Sequence, residues 1–319
     1  MSTVLVTGAS GYIAGHVVAE LRSHGYDVRG TARRPGADTV VADLDRDDGW
    51  AEAVDGCEYV VHVASPFPRG VPKSDDELVR PAVDGTLRVL KAAKEAGVKR
   101  VVVTSSVAAV SAGHAETRLR TEDDWSVVER ADAYEKSKTL AERAAWDFAD
   151  EHGLELVAVN PGMVLGPLIT PTVGTSVQVV HRLLKRDLPA SPKMGFAVVD
   201  VRDVAVAHRL ALETPAAAGN RYILAGEHVW MREIAAVLAE RYERVPTGSL
   251  PTWILWIVAR FDPTIRQAMS FVGRRELVSA DKARRELGWS MRPLRDSILD
   301  TAESLVELGL VDVREKTAV

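Results

Sequence analysis

The sequence predicts an α/β protein with a doubly wound parallel sheet and a smaller, mostly helical C-terminal lobe. In the first half of the chain, short apolar runs rich in valine alternate with longer segments of helical periodicity. Strands that are buried on both faces have such continuous apolar runs, and their alternation with helices predicts βαβ units. After Pro161 the alternation loosens because proline and glycine become frequent, which predicts a change of architecture.

The individual elements follow from local signals. Each predicted strand is a short apolar run, such as Val101-Val102-Val103, that polar or glycine-containing sequence interrupts. The predicted helices have apolar residues three and four apart, and two of them end at Gly97 and Gly153, which suit the C-cap. The predicted strands span 3–7, 27–32, 39–42, 59–64, 100–105 and 156–160, and the helices span 12–23, 78–96 and 132–152.

The same pattern predicts the domain boundaries. Residues 1–165 form the predicted sheet domain, and residues 196–225 are expected to return to it because two strand-like runs and a helical segment reappear there. Residues 166–195 and 226–319 then form the second lobe. Its most apolar stretch, 250–261, carries Trp253, Trp256 and Phe261, and we expect it to pack in the core or against another subunit.

Composition narrows the possible partners and location. Of the 319 residues, 46% are hydrophobic, and the net charge of -5 comes from interspersed acidic and basic residues, so no nucleic-acid partner is expected. The single cysteine, Cys57, cannot form an internal disulfide, which favours a cytoplasmic location. No apolar stretch reaches the ~20 residues of a membrane span. We therefore expect no membrane association. No cluster of His, Cys, Asp or Glu has metal-ligand spacing, so we also expect no metal.

A glycine-rich turn follows the first predicted strand. The segment Gly8-Ala9-Ser10-Gly11-Tyr12-Ile13-Ala14 has the spacing G-x-x-G-x-x-A and leads into a helix. The first glycine permits a tight turn, the second lets the backbone approach a pyrophosphate, and the small third residue lets helix pack on strand. The helix N-terminus adds N–H groups and a positive dipole end. A plain strand–helix turn is the alternative, but the βαβ context favours a dinucleotide-binding Rossmann domain.

The end of the second predicted strand indicates which dinucleotide is used. A site that prefers NAD places Asp or Glu there to bond the ribose 2′-OH. This sequence instead has Arg33 and Arg34, whose guanidinium groups suit a 2′-phosphate. Two solvated surface arginines are the alternative, but their position predicts NADP(H) as the cofactor.

Candidate catalytic groups lie on one helix and at one strand end. Tyr134 and Lys138 are four residues apart on a predicted helix and therefore share a face. The neighbouring ammonium favours the phenolate, which makes Tyr134 a usable acid–base group near neutral pH, although the pair also arises by chance in helices. Thr104-Ser105-Ser106 ends a strand at the carboxyl edge, where ligands bind in parallel sheets. Spacing alone does not decide between Ser105 and Ser106.

Together these segments resemble the extended short-chain dehydrogenase/reductases. The similar stretches are TGASGYIAGH, HVASP, VVVTSSVAAV, YEKSKTLAE and NPGMVLGP. Within that family, the chain most resembles dihydroflavonol reductases, cinnamoyl-CoA reductases, and microbial aldehyde and ketone reductases. The similarity runs to about Ser176 and resumes over residues 279–289.

The resemblance implies a role for individual residues. Ser106 is expected to orient the carbonyl, Tyr134 to donate the proton, and Lys138 to tune the phenol and hold the nicotinamide ribose. Arg33, with Arg34 beside it, matches the arginine that meets the 2′-phosphate. The other residues implied around the cofactor are Gly8, Ser10, Gly11, Tyr12, Ile13, Asp43, Leu44, Val63, Ala64, Ser65, Thr104, Pro161, Gly162, Val164 and Ser176.

The predicted activity is therefore reduction of an aldehyde or ketone carbonyl by NADPH. We expect a small-molecule carbonyl or alcohol substrate, a cleft closed by the C-terminal lobe, and a monomer or homodimer. A nucleotide-sugar epimerase or dehydratase, which shares the fold and the Tyr/Lys pair, remains an alternative, as does a 3β-hydroxysteroid-type dehydrogenase. A non-catalytic NADP-sensing protein is the third alternative, and intact Ser106, Tyr134 and Lys138 argue against it.

Overall fold

The computed structural model of the chain describes residues 2–36, 39–66, 74–187, 189–261 and 269–316. These residues divide into two compact units. The first unit contains Met1–Pro161, Arg202–Leu224 and Val278–Ser290, and the second contains Gly162–Val201, Ala225–Leu277 and Met291–Val319.

Strands and helices alternate through the first unit. The described strands are β1 (Thr3–Val6), β2 (Asp27–Ala32), β3 (Thr39–Val41), β4 (Tyr59–His62), β5 (Arg100–Thr104), β6 (Glu155–Pro161), β7 (Met163–Leu165), β8 (Ser191–Pro192), β9 (Gly195–Asp200), β10 (Asn220–Leu224), β11 (His228–Trp230) and β12 (Ser249–Leu250). The described α-helices are α1 (Tyr12–Ser23), α2 (Trp50–Val54), α3 (Asp76–Glu95), α4 (Ala108–Ser111), α5 (Ala133–His152), α6 (Thr175–Lys185), α7 (Val201–Glu213), α8 (Met231–Arg241), α9 (Thr252–Val258), α10 (Asp281–Leu287) and α11 (Leu294–Glu307).

The first unit is built on a parallel sheet of seven described strands. Their order is β3-β2-β1-β4-β5-β6-β10, and each neighbouring pair is parallel. The chain moves outward from β1 to β3, returns to β4 and then moves outward in the other direction. The strand order therefore reverses between β1 and β4, and ligands bind beyond the carboxyl ends of strands at such a switch point. The predicted doubly wound fold is confirmed.

The central strands are covered on both faces. Val4, Leu5 and Val6 of β1 are all buried. Successive side chains of a strand point to opposite faces, so burial of all three means that both faces pack against other elements. Burial on both faces explains why the sequence of these strands is a continuous apolar run. Helix α5, which carries Tyr134, packs along α3 and is therefore held firmly against the sheet domain.

The second unit mixes strands and helices. Among its described residues, a three-stranded sheet has the order β11-β9-β7, and β12 pairs with β8. Helices α6, α8 and α11 pack against one another. Helices provide most of the regular structure among the described residues of this unit, as the sequence predicted, and a small mixed sheet lies beside them.

Residues 196–225 do not all return to the main sheet. Asn220–Leu224 pairs in parallel with β6, as expected, whereas Gly195–Asp200 joins the three-stranded sheet of the second unit. Gly162 provides the physical reason. A Cβ added at Gly162 would lie 2.0 Å from the carbonyl oxygen of Ala197. Only glycine permits this approach, which lets the chain pass from β6 into β7 alongside β9.

The apolar stretch 250–261 forms the short helix α9, but its largest side chains are not in a core. Trp253, Trp256 and Phe261 are 64%, 65% and 83% exposed, whereas Leu255 is buried. The expectation of core packing is therefore wrong for these three residues, because a helix of this length buries only one stripe. Packing against another subunit stays a prediction. None of the described helices has both the length and the hydropathy that a membrane span requires.

Candidate active site

The turn after β1 has the backbone geometry that its glycines predict. Gly8 has a φ of +66°, and a Cβ added there would lie 3.0 Å from the Cβ of Ala64. A Cβ added at Gly11 would lie 3.1 Å from the carbonyl oxygen of Gly8. Gly11 is the N-cap of α1, and because glycine has no side chain it leaves the first N–H groups of the helix uncapped by its own residue. The N–H groups of this helix end, together with the bare turn, are suited to a phosphate.

Two buried threonines hold the glycine turn at the switch point. Thr31 on β2 accepts a hydrogen bond from the N–H of Gly8 at 3.1 Å. Thr7, directly after β1, accepts one from the N–H of Ala64 at 3.0 Å, which ties the turn to the segment after β4. Neither threonine was predicted from the sequence. The signal for Thr7 was a hydroxyl directly before the glycine turn, whereas Thr31 lies in the polar sequence DVRGTA and has no comparable local signal.

His62, the last residue of β4, connects two strands of the sheet. Its Nδ1 lies 2.8 Å from Thr7 Oγ1, and the residue is buried. Burial, with a smaller contribution from the positive charge of Lys138, lowers the pKa of His62 to about 3. The imidazole is therefore neutral at physiological pH and links β1 to β4.

The predicted 2′-phosphate and adenine residues follow two neighbouring strands. Arg33 and Arg34 come directly after β2 and are exposed. Asp43 and Leu44 come shortly after β3, which pairs with β2 so that Ala32 lies opposite Val41. Both are half-buried, and the carbonyl oxygen of Leu44 accepts a hydrogen bond from Arg88.

A capping box places Tyr134 in the first turn of α5. Asp132 Oδ1 accepts the N–H of Glu135 at 2.9 Å, and Glu135 Oε2 accepts the N–H of Asp132 at 3.0 Å. These bonds begin the helix at Ala133. Tyr134 and Lys138 therefore lie one turn apart on one face, and both are half-buried.

Lys138 connects α5 with the switch point. Its ammonium donates a hydrogen bond to the hydroxyl of Ser65 at 3.1 Å, and Ser65 follows β4. Burial lowers the pKa of Lys138 to about 8, and the Glu142 carboxylate opposes this shift. Lys136 does not share this environment, because its ammonium pairs with Asp75 at 2.5 Å.

The three hydroxyls at the end of β5 have different partners. Thr104 Oγ1 lies 2.7 Å from His208 Nε2, on α7. Ser105 is buried and donates to Glu142 Oε2 at 2.5 Å. Ser106 is half-buried, and its Oγ accepts the N–H of Ala108 at 3.1 Å. Spacing left the choice between the serines open, and these partners favour Ser106 as the one that meets a substrate.

Three predicted cofactor residues belong to the second unit, namely Gly162, Val164 and Ser176. Val164 is buried in β7, and Ser176 is half-buried in the first turn of α6. Pro161 ends β6 in the first unit, where its carbonyl oxygen accepts the N–H of Val107 at 3.0 Å. The first unit thus brings together the glycine turn, Ser65 and Lys138.

Sequence reasoning also missed a buried polar group beside the site. Glu142, Asn160 and Arg221 are buried and bonded to one another through the Glu142 carboxylate. Two signals could have found them. Glu142 follows Lys138 by four residues on the same helix face, and Arg221 is a charged residue in an apolar strand.

Comparison with known proteins identifies the family. The model of the NAD dependent epimerase/dehydratase family matches residues 4–225. Cinnamoyl-CoA reductase 1 of Arabidopsis thaliana is 35% identical, over 96% of this chain and 90% of its own length. This chain belongs to that family. It is an extended short-chain dehydrogenase/reductase, so the resemblance found in the sequence is confirmed.

Other members of the family support the same branch. Dihydroflavonol 4-reductase of Zea mays is 34% identical, over 75% of this chain and 74% of its own length. The solved structure of yeast methylglyoxal/isovaleraldehyde reductase complexed with NADPH is 27% identical, with a TM-score of 0.78. That alignment covers 96% of this chain and 99% of the yeast chain. The relatives named here are all reductases.

The first unit fits the dinucleotide that this family uses. The turn has no side chain at Gly8 or Gly11, and a Cβ at either position would make a contact of 3.0–3.1 Å. Ser65 is exposed at the neighbouring strand end, and the Lys138 ammonium reaches it. Glycine backbone for a pyrophosphate and hydroxyl and ammonium groups for a ribose are the donors that such a cofactor needs.

Proposed function

We propose that this extended short-chain dehydrogenase/reductase uses NADPH to reduce an aldehyde or ketone carbonyl to an alcohol. One observation carries the proposal. The bond from Lys138 to Ser65 joins the helix that holds Tyr134 to the strand end beside the glycine turn. An acid–base pair and a dinucleotide cradle therefore belong to one site. The reductase names of the relatives support this choice of reaction.

Tyr134 is the proposed proton donor. Tyr134 lies one helical turn before Lys138 on α5, and a positive charge near the phenol would stabilise the phenolate that remains after the proton has left. Bound NADPH would supply the hydride to the carbonyl carbon. Tyr134 would deliver the proton to the carbonyl oxygen, so that the products are an alcohol and NADP⁺.

Ser106 is proposed to hold the carbonyl oxygen. Its Oγ accepts the N–H of Ala108, so its hydroxyl proton can be donated to the substrate. This donor would stabilise the negative charge that develops on the oxygen before proton transfer is complete. Ser105 does not suit this role because its own proton is donated to Glu142.

The cofactor-binding residues divide by the part of NADPH that they would hold. We propose Gly8 and Gly11 for the pyrophosphate and Lys138 for the nicotinamide ribose. Arg33, with Arg34 as a neighbour, would bind the 2′-phosphate, since both are exposed directly after β2. Residues 30–35 at this strand end contain no carboxylate to bond a free 2′-OH, which favours NADPH over NADH.

A panel of carbonyl compounds tests the proposed function. Purified protein is incubated with NADPH and with aldehydes, diketones, aryl ketones, flavanonols or 3-ketosteroids, and the loss of NADPH absorbance is followed. We expect oxidation that depends on the added carbonyl and yields the alcohol. A family member that epimerises or dehydrates its substrate would give no net oxidation, and a sensor would bind NADPH without turnover. Either outcome would remove the reductase proposal.

A further inference from the structure

We propose that Glu142 and Asn160 are positioning residues that hold Ser106 in register with Tyr134 and Lys138. Neither side chain is assigned to the substrate or to the cofactor. The catalytic consequence rests on the reductase function proposed above, whereas the structural tie can be tested without it. The Glu142 carboxylate of α5 and the Asn160 amide of β6 connect the helix to the end of β5.

Glu142 extends the catalytic face of α5 into the interior. Tyr134, Lys138 and Glu142 are spaced by four residues and lie one above another on the helix. Glu142 is only 1% exposed, and both of its carboxylate oxygens accept hydrogen bonds. Oε1 accepts from Arg221 Nε at 2.5 Å and from Trp146 Nε1 at 3.3 Å. Oε2 accepts from Ser105 Oγ at 2.5 Å, Asn160 Nδ2 at 2.8 Å and Arg221 Nη2 at 3.3 Å.

Asn160 transmits this fixed position to Ser106. The residue lies in β6 and is fully buried. Its Nδ2 donates to the Glu142 carboxylate at 2.8 Å and to the carbonyl oxygen of Ser106 at 3.1 Å. Ser105, the residue before, donates its hydroxyl to the same carboxylate. The proposed catalytic serine is therefore connected to the helix that carries Tyr134 by two routes, the Ser105 hydroxyl on Glu142 and the Ser106 carbonyl through Asn160.

Arg221 pairs with the Glu142 carboxylate inside the protein. Its guanidinium pairs with Glu142, donates to the carbonyl oxygens of Glu122 and Asp124 at 2.9 Å and 2.8 Å, and stacks 3.7 Å from the ring centre of Trp125. A buried carboxylate without such a cation would be very costly. Because Arg221 fixes the Glu142 carboxylate, the lone pairs of its oxygens point in fixed directions, and Ser105 and Asn160 donate hydrogen bonds to them.

The arrangement is more specific than stability requires. Well-packed apolar side chains often replace a buried ion pair at no cost in stability. The Ser106 carbonyl oxygen also accepts the N–H of Ala109 at 2.9 Å, but that bond lies within the local turn. Apolar side chains cannot replace the Asn160 bond that ties the carbonyl to the core. A displacement of about 1 Å at a reacting group can cost on the order of 10²-fold in rate. The Glu142 charge also opposes the lowering of the Lys138 pKa, which agrees with a role in the proposed site.

Asn160→Ala is the first test because it removes the contact to Ser106 and leaves the Glu142–Arg221 pair in place. We expect kcat for carbonyl reduction to fall roughly 10- to 100-fold, with the Kd for NADPH within about twofold of the parent value. Glu155→Gln is the matched control. Glu155 also pairs with a buried arginine, Arg100, but it is 54% exposed. Its substitution should leave kcat unchanged. An Asn160→Ala variant with the kcat of the parent would overturn the proposal.

A second variant separates position from stability. Glu142→Met combined with Arg221→Met replaces the buried pair by apolar groups, and we expect it to fold while kcat stays low. Recovery of the parent kcat in this double variant would show that the pair serves stability alone. The double variant also serves as the test of the proposal if Asn160→Ala does not fold.

Crystal structures provide a readout that does not depend on activity. In the variants, the distance between Ser106 Oγ and the Tyr134 hydroxyl should change by more than 0.5 Å, on the order of the precision that catalytic groups require. An unchanged distance would contradict the proposal even if activity had fallen. If the parent protein reduces no carbonyl, the proposed function fails, and these structures still decide whether Glu142 and Asn160 hold Ser106.

Discussion

The Lys138 ammonium donates a hydrogen bond to the hydroxyl of Ser65 across 3.1 Å. Lys138 lies one turn after Tyr134 on α5, and Ser65 follows β4 at the point where the strand order reverses. The contact therefore links the proposed acid to the switch point of the sheet, where ligands bind in doubly wound folds. In the proposed reductase, the same ammonium would hold the nicotinamide ribose and stabilise the phenolate.

Tyr134→Phe should abolish most of the turnover and leave NADPH binding largely intact. The ring is preserved and only the proton donor is lost, which is worth roughly 10²–10⁴-fold in rate. Steady-state rates and fluorescence titration with NADPH measure the two effects. Tyr26→Phe is the control, because it also removes one tyrosine hydroxyl, which donates to Glu213 at 3.3 Å at an exposed position. Activity of Tyr134→Phe within a few-fold of the parent would remove Tyr134 from its role.

Carbonyl reduction should slow as the pH rises above about 8. Burial lowers the pKa of Lys138 to about 8, so the lysine keeps its proton below this value and loses it above. Loss of the charge withdraws stabilisation from the Tyr134 phenolate. The dependence of kcat/KM on pH measures this titration in the free enzyme. A profile that stays flat to pH 10 would contradict the assignment.

Substitutions of Lys138 provide the controls for this pH dependence. Lys138→Arg keeps a positive charge throughout the range, so any remaining activity should lose its alkaline fall. Lys138→Met should lower the rate and also weaken NADPH binding, because the lysine is assigned both roles. A lower rate with an unchanged Kd for NADPH would contradict the ribose contact.

Ser106→Ala should lower kcat far more than Ser105→Ala. Removing a hydrogen-bond donor to a developing oxyanion costs about 10²–10³-fold in kcat. Ser105→Ala removes one donor to the Glu142 carboxylate, so we expect a lower melting temperature and a loss of kcat below tenfold, because Asn160 still holds the Ser106 carbonyl. Kinetics and thermal unfolding of both variants provide the comparison. A larger kcat effect from Ser105 would reverse the assignment.

The preference for NADPH over NADH should depend mainly on Arg33. A charge-assisted hydrogen bond contributes about 1.5–3 kcal/mol, or roughly 10- to 150-fold in affinity, and exposure of the guanidinium places the effect near the low end. Arg33→Ala should raise the KM for NADPH several-fold and barely change that for NADH. Arg34→Ala should have a smaller effect. Equal use of both cofactors by the parent protein would contradict this prediction, and a dominant effect of Arg34 would move the contact by one residue.

Gly8→Ala should weaken both folding and NADPH binding. An alanine at φ +66° is strained by about 1–2 kcal/mol, and its Cβ would lie 3.0 Å from Ala64 Cβ. Gly25→Ala is the matched control, since Gly25 has a φ of +83° but no atom within 4 Å of an added Cβ. The control should lose stability without loss of NADPH affinity. Equal NADPH affinities for the two variants would argue against close approach of the cofactor at Gly8.

Much of the fold could be predicted because its signals are local. Valine runs such as 101–103 become buried strands, and glycines such as Gly153 end helices, through interactions within a few residues. The strand–turn–helix at Gly8 and the Tyr134–Lys138 spacing are likewise local patterns. The route of 195–200 into the second unit was not predictable from periodicity, because it depends on the contact between Gly162 and Ala197, which are distant in sequence.

Sequence alone determined the family, the parallel sheet and the positions of the glycine turn and the Tyr134–Lys138 pair. Tertiary structure gave the two adjacent serines different partners, which supports the proposed role of Ser106. Ser105 bonds to Glu142, which is 37 residues away, and the Ser106 carbonyl bonds to Asn160, which is 54 residues away. Adjacent residues of the same type have the same local signals. Only the position of a buried carboxylate and its partners in the folded core distinguishes one hydroxyl from the other.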